Sequence, residues 1–149
     1  MIVTAHVIAG GIVAEELGDP IIGFIVAFFL HFVMDALPHF DTTDGGKWTK
    51  KQILFTSSDF LLSAILILFF VQPVLSFSNL FLWGAFGSFL PDLIDNPPMW
   101  SGWIRKTKYG KKFHAFHEWC HAKVQPSFWF GVTTQLGLVA ILLFMRNKS

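Results

Sequence analysis

Six histidines and ten carboxylates are spread over 149 residues, and several stand at spacings that matter for chemistry. His31 and Asp35 are four apart, so on a helix they share one face and can reach the same ion. Asp92 and Asp95 are three apart, just after Leu90-Pro91, on one face of a helix end. His114, His117 and His121 form a third stripe, at i, i+3 and i+7. Two histidines at i, i+4 is a helical zinc arrangement, and imidazole nitrogens and carboxylates hold Zn²⁺ at about 2.0–2.2 Å. Each set also has a plain structural reading. A His–Asp pair pins two helices together, an aspartate pair finishes a helix in solvent, and a histidine stripe lies beside a basic patch. Glu118 faces away from the histidine stripe.

Other polar residues join these sets on weaker grounds. His6 follows Thr4 at the start of a short apolar segment, where the Thr4 hydroxyl can cap the first turn. Asp59, after Ser57-Ser58, suits either a helix-capping role or that of a general base. His39 and Asp41 occupy a loop, as ligands or as solvated groups. There is no Gly-rich phosphate loop, GxSxG elbow or cysteine nucleophile. The single cysteine, Cys120, excludes an internal disulfide framework and a CxxC zinc knuckle.

The elements that must position these residues are apolar. Hydrophobic residues make up 53% of the chain and charged ones only 14%, against roughly 25% charged in soluble domains. That deficit predicts lipid-facing surface. A net charge of +1 implies no nucleic-acid partner. Apolar runs cover Ile21–Leu37, Phe60 to about Phe77, Leu80–Leu90 and Phe128–Met145. A bilayer core needs roughly 20 apolar residues in a helix, with about 17 as a lower limit, and strand-like alternation is absent. The expected fold is therefore all-α. It is a single integral membrane domain over residues 1–149, a polytopic helical bundle of about four spans. To these are added a short N-terminal helix, Thr4–Leu17, and an interfacial amphipathic helix, Phe113–Lys123. Gly18-Asp19-Pro20 predicts a tight turn, with proline opening the next helix.

Threading that topology places all six histidines on one side of the membrane, with Asp35, Asp41, Asp44, Asp59, Asp92, Asp95 and Glu118. Nine of the eleven Lys and Arg residues fall there too. The positive-inside rule makes that side cytoplasmic, in a plasma membrane.

In combination, Thr4-Ala5-His6, His31-Phe-Val-Met-Asp35-Ala-Leu-Pro38, Leu90-Pro91-Asp92-Leu-Ile-Asp95 and His117-Glu-Trp-Cys-His121 resemble the membrane-bound metal-dependent hydrolases. Those are marked by an early histidine, LPDxD, HRxxTH and HxxxDxxTP elements. The HxxxD element and clustered histidines are also similar to those of zinc-dependent phospholipase C. Here the HxxxD element comes before the LPDxxD element, Asp95 falls one residue later than in LPDxD, and Glu118 and Cys120 replace the arginine and threonine of HRxxTH. The resemblance carries over to His6, His31, Asp35, Asp92, His117 and His121, and more loosely to Asp95 and His114. It implies a metal-dependent hydrolase. Zn²⁺ is the expected ion, with Mn²⁺ or Fe²⁺ as alternatives, and whichever of Asp35, Asp92 or Asp59 is left unligated is the expected general base. Membrane lipid is the expected partner, and Arg105 with the lysines beside it would hold an anionic lipid phosphoester. The competing expectations are a metal-binding or metal-transporting membrane protein, and a structural one whose polar pairs hold helices together.

Overall fold

A computed structural model describes residues 3–39, 48–71, 79–121 and 127–146. Asp41, Asp44, Lys47, Gln72-Pro73 and Lys123 lie outside the described residues. Among the described residues there are helices only: α1 (Val3–Leu17), α2 (Pro20–Asp35), α3 (Lys50–Val71), α4 (Leu80–Asp95), α5 (Ser101–Ile104), α6 (Lys108–Cys120) and α7 (Phe128–Arg146).

The all-helical expectation holds, but the membrane-spanning one does not. No described helix is long and apolar enough to cross a membrane. Helices α1, α2 and α4 have 15 or 16 residues, which at 1.5 Å per residue is roughly 24 Å, short of a bilayer core of about 30 Å. The 22-residue α3 opens on Lys50-Lys51-Gln52 and carries Thr56-Ser57-Ser58-Asp59 in its first half. Helix α7 places Thr133, Thr134 and Gln135 near its middle. The four-span bundle, the interfacial placement of the amphipathic helix, and the plasma-membrane assignment with a cytoplasmic face all rested on those spans, and fall with them. Much of the apolar excess instead lies on outward helix faces, where Ile21, Phe29, Val33, Leu54 and Trp129 are all exposed.

The centre of the fold is α1. Every residue from Val3 to Ile12 is buried, as suits a helix that is apolar all round. It contacts α2, α3, α4 and α7, while α2 and α4 pack on each other and α6 lies against both. Val3, Val7, Ile8 and Ile12 of α1 pack with Phe81 and Ala85 of α4. The α1–α4 crossing is close because it is made by glycines. A Cβ at Gly84 would collide with the Gly10 carbonyl, and one at Gly10 would lie 2.5 Å from the Gly84 carbonyl oxygen.

The turn between α1 and α2 follows the local sequence. Gly18 has φ +69°, a left-handed conformation that ends α1 at little steric cost. Asp19 then accepts at Oδ1 from the backbone N–H groups of Ile21 and Ile22, both at 2.9 Å, and Pro20 opens α2. Helix α3 begins ten residues before its apolar run. A capping box explains this, since the Thr49 N–H donates to Gln52 Oε1 at 2.8 Å and the Gln52 N–H donates back to Thr49 Oγ1 at 3.3 Å.

Candidate metal centre

Three helices bring four residues to one buried point. Helix α2 supplies His31 and Asp35 one turn apart, α4 supplies Asp92, and α6 supplies His117. His31 and Asp35 are fully buried, His117 is 1% exposed and Asp92 9%. These four residues each offer one ligand atom to a common space. His31 Nε2 lies 3.0 Å from Asp35 Oδ2 and 3.7 Å from Asp92 Oδ1. His117 Nε2 lies 3.2 Å from Asp35 Oδ2 and 3.6 Å from Asp92 Oδ1. The two Nε2 atoms are 3.0 Å apart. A tetrahedron with bonds of about 2.0–2.1 Å has edges of roughly 3.3–3.4 Å. The five distances scatter around that length, so the group fits a small tetrahedral cation.

The groups behind these ligands aim them. His31 Nδ1 lies 2.7 Å from the Ser88 carbonyl, which can only accept, so Nδ1 carries the proton and Nε2 turns its lone pair to the centre. Pro91 has no N–H to give the Gly87 carbonyl, so the α4 ladder is interrupted in the turn that presents Ser88. His117 Nδ1 lies 3.1 Å from Asp95 Oδ2, which leaves Nε2 as its inward atom. Carbonyl–histidine and carboxylate–histidine pairs of this kind fix tautomer and ring direction at metal sites. Asn96 Nδ2 donates to Asp92 Oδ1 at 2.7 Å.

Asp95 lies outside the four-residue group, behind His117, and with His114 and Glu118, which was expected to face away, it forms another group whose ligand atoms lie within 4.8 Å of one another. Its Oδ1 accepts from Arg105 Nε at 2.9 Å and its Oδ2 faces His114 Nδ1 at 2.8 Å as well as His117. Arg105 also donates to the Asp95 carbonyl at 2.7 Å. The arginine expected to hold an anionic head group is thus engaged in supporting Asp95, while Lys106, Lys108, Lys111 and Lys112 are exposed. His6 stands behind Asp35, with Nε2 3.2 Å from Oδ1 and its ring stacked on His31 at 4.1 Å between centroids. Among the described residues, His6 Nδ1 is buried with no hydrogen-bond partner. His121, just past the end of α6, reaches Asp35 Oδ2 at 3.4 Å from the half-exposed rim.

Asp59 is not brought to this centre. It caps α1 from the neighbouring α3, accepting from the Val3 N–H and, at 2.6 Å, from the Thr4 hydroxyl. Thr4, expected to cap its own helix, is instead part of that link, with Ser63 Oγ 2.9 Å away. The roles of Ser88, Asn96 and Arg105 were not visible in the spacing of acidic and histidine residues. Asn96 alone carried a signal, one helical turn after Asp92.

The electrostatics are those of an anionic cage. Burial opposes ionisation of Asp35, but its neighbour His6 and hydrogen bonds from His117 and His31 act the other way, and it is held well below the usual range. Burial likewise opposes ionisation of Asp95, and bonds from His117, His114 and Arg105 hold it far below its ordinary value. Burial would lower His117, yet its bonds to Asp35 and Asp95 and the charge of Asp92 raise it to about 9. His6 is lowered to about 4, first by burial and then by His31, so it stays neutral. Without an ion, the His117 proton supplies the positive charge that the Asp35 and Asp92 carboxylates require.

No family model, curated protein or solved structure matches the chain.

Proposed function

We propose that this chain is a metal-dependent hydrolase whose divalent ion is held by His31, Asp35, Asp92 and His117. The supporting observation is the set of five interligand distances, 3.0–3.7 Å, made by histidines already turned to present Nε2. Two imidazoles and two carboxylates suit Zn²⁺ first, with Mn²⁺ and Fe²⁺ as weaker candidates. Two carboxylate charges also neutralise one divalent ion, which lowers the cost of burying both. A bound ion of this kind lowers the pKa of a water to about 7 and polarises the bond to be cut.

Asp92 is the general base in this reading, through the carboxylate oxygen left unligated, because it is the less buried of the two carboxylates, 9% exposed against 0% for Asp35. It takes one proton from water as the water oxygen bonds to phosphorus. The P–O ester bond breaks, and the departing oxygen receives that proton. The exposed lysines at 106, 108, 111 and 112 precede the histidines of α6 and favour an anionic substrate. A phosphoester is the class proposed, with lipid phosphodiesters first among those to assay. The second reading is a metal-binding protein without turnover. A complete set of four protein ligands favours it, since structural sites are closed in this way and catalytic ones keep a position open.

The discriminating experiment measures metal per chain and hydrolysis of an activated phosphodiester and of anionic phospholipid vesicles, with and without chelator. Asp92→Asn should keep its thermal midpoint within a few degrees and lose activity by ~10²–10⁴-fold. Activity that survives both chelation and Asp92→Asn would sink the metal-dependent mechanism. Bound metal with no turnover on any phosphoester would favour the second reading.

A further inference from the structure

Beside the four-ligand group lies another that shares one of its members. Asp35, His39 and His121 each offer one ligand atom to a second common space, with Asp35 and His39 buried and His121 partly exposed. His39 comes from the chain just after α2, and its Nδ1 lies 2.7 Å from the Leu37 carbonyl two residues back. That carbonyl can only accept, so Nδ1 holds the proton and Nε2 is the nitrogen with a lone pair to give. The arrangement repeats that of His31 on Ser88. His121 Nε2 lies 3.4 Å from Asp35 Oδ2, again close to the edge of a tetrahedron built on bonds of about 2.0–2.1 Å. The rings of His39 and His121 are 5.7 Å apart, and those of His121 and His117 are 4.9 Å apart, so the two groups are contiguous.

We infer that the chain binds a second divalent cation at Asp35, His39 and His121, with the Asp35 carboxylate bridging the two ions. The two sites divide the work. The inner one is closed by four protein ligands. Among the described residues the outer one has three, and its His121 side chain is 21% exposed, which would leave a coordination position for water or substrate. Three protein ligands with an open position is the pattern of catalytic rather than structural zinc. Paired ions about 3.5–4 Å apart are a recurrent device for stabilising both the attacking and the leaving oxygen in phosphoester cleavage. This inference rests on the metal reading above, and it resolves the difficulty that a closed inner site poses for hydrolysis. Water and substrate approach the outer ion, while the inner ion fixes the bridge.

The test is metal stoichiometry, using Zn²⁺ alone as the probe. Purified protein is stripped, incubated with excess Zn²⁺, desalted and analysed for zinc per chain, with thermal melting as a check of folding. The wild type should retain two ions per chain. His39→Ala and His121→Ala should each retain one, and His39→Gln serves where His39→Ala fails to fold. One ion in the wild type, still present in His39→Ala and His121→Ala but lost in His31→Ala, would overturn the second site and leave the first intact. No ion in the wild type would overturn both. Two ions that persist in folded His39→Ala and His121→Ala would also overturn this assignment, because the second would lie elsewhere. Cobalt(II) substitution gives an independent readout, with one absorption band of inner-site type surviving in the two outer-site variants.

Discussion

His117 shows how much of this centre depends on residues outside the four that converge. Its Nε2 faces Asp35, Asp92 and His31, while its Nδ1 is held by Asp95, which is itself held by Arg105 and His114. Asp95→Asn keeps the shape of that support and removes its charge. It should weaken Zn²⁺ binding by ~10–100-fold, the usual cost of losing a partner behind a metal-bound histidine. Competition with a chromophoric chelator would measure it, beside Asp35→Asn, which should abolish binding. Equal affinities for wild type and Asp95→Asn would mean that Asp95 is an ordinary helix end. The spacing of the sequence picked out residues that the fold does bring together, because i, i+4 on α2 and the aspartate at the end of α4 are local facts. It could not separate ligand from support. Asp92 and Asp95 share a face of α4, and only the rotation of α6 against α4 decides which of them meets His117 through Nε2 and which through Nδ1.

At the scale of elements, two devices hold α1 in place, and neither is at the centre. Asp59 ties α3 to the first turn of α1, accepting from the Val3 N–H and the Thr4 hydroxyl. Asp59→Ala should destabilise the fold by about 0.5–2 kcal/mol, as the loss of an N-cap does, and leave zinc per chain unchanged. A folded Asp59→Ala protein that lost its zinc would instead return Asp59 to the site. The glycine crossing is the second device. Gly84→Ala forces α1 and α4 apart and should cost about 1–3 kcal/mol. Helix positions were largely legible in the sequence, as were the Gly18-Asp19-Pro20 turn and the pairing of His31 with Asp35. What the helices do was less so. Apolar runs and low charge predict membrane spans, but hydropathy does not distinguish a buried helix from one facing lipid. Here α1 is apolar because it is surrounded, and α2 and α4 are too short to cross. The run in α3 hides a polar first half that its capping box starts early.

For the whole molecule, the site makes stability depend on pH in a way that a polar helix contact would not. In the metal-free chain, His117 is raised from 6.5 to about 9. The folded state therefore holds a proton that the unfolded state has lost across that range. Its contribution is complete below pH 6.5 and disappears as the pH rises through 9. His6 works in the opposite sense, because its value falls from 6.5 to about 4. Between those limits the unfolded state binds the extra proton, so stability drops as the solution is acidified from 6.5 toward 4. Asp35 and Asp95, both lowered, deepen the acid loss once the pH passes below the ordinary carboxylate range. The metal-free thermal midpoint should thus peak near pH 6.5 and decline on both sides. Zinc changes the alkaline flank. The ion occupies the place of the His117 Nε2 proton, so binding releases that proton and strengthens as the pH rises toward 9. Bound metal also adds stability by mass action, about 4 kcal/mol at a thousandfold excess over Kd. The gap between zinc-loaded and metal-free midpoints should therefore widen from pH 6.5 to 9. Scanning calorimetry at half-unit steps, on stripped and reloaded protein, would show it. A gap that narrows over that interval, or a metal-free midpoint that climbs through it, would mean that His117 is not the proton-holding ligand assigned to it.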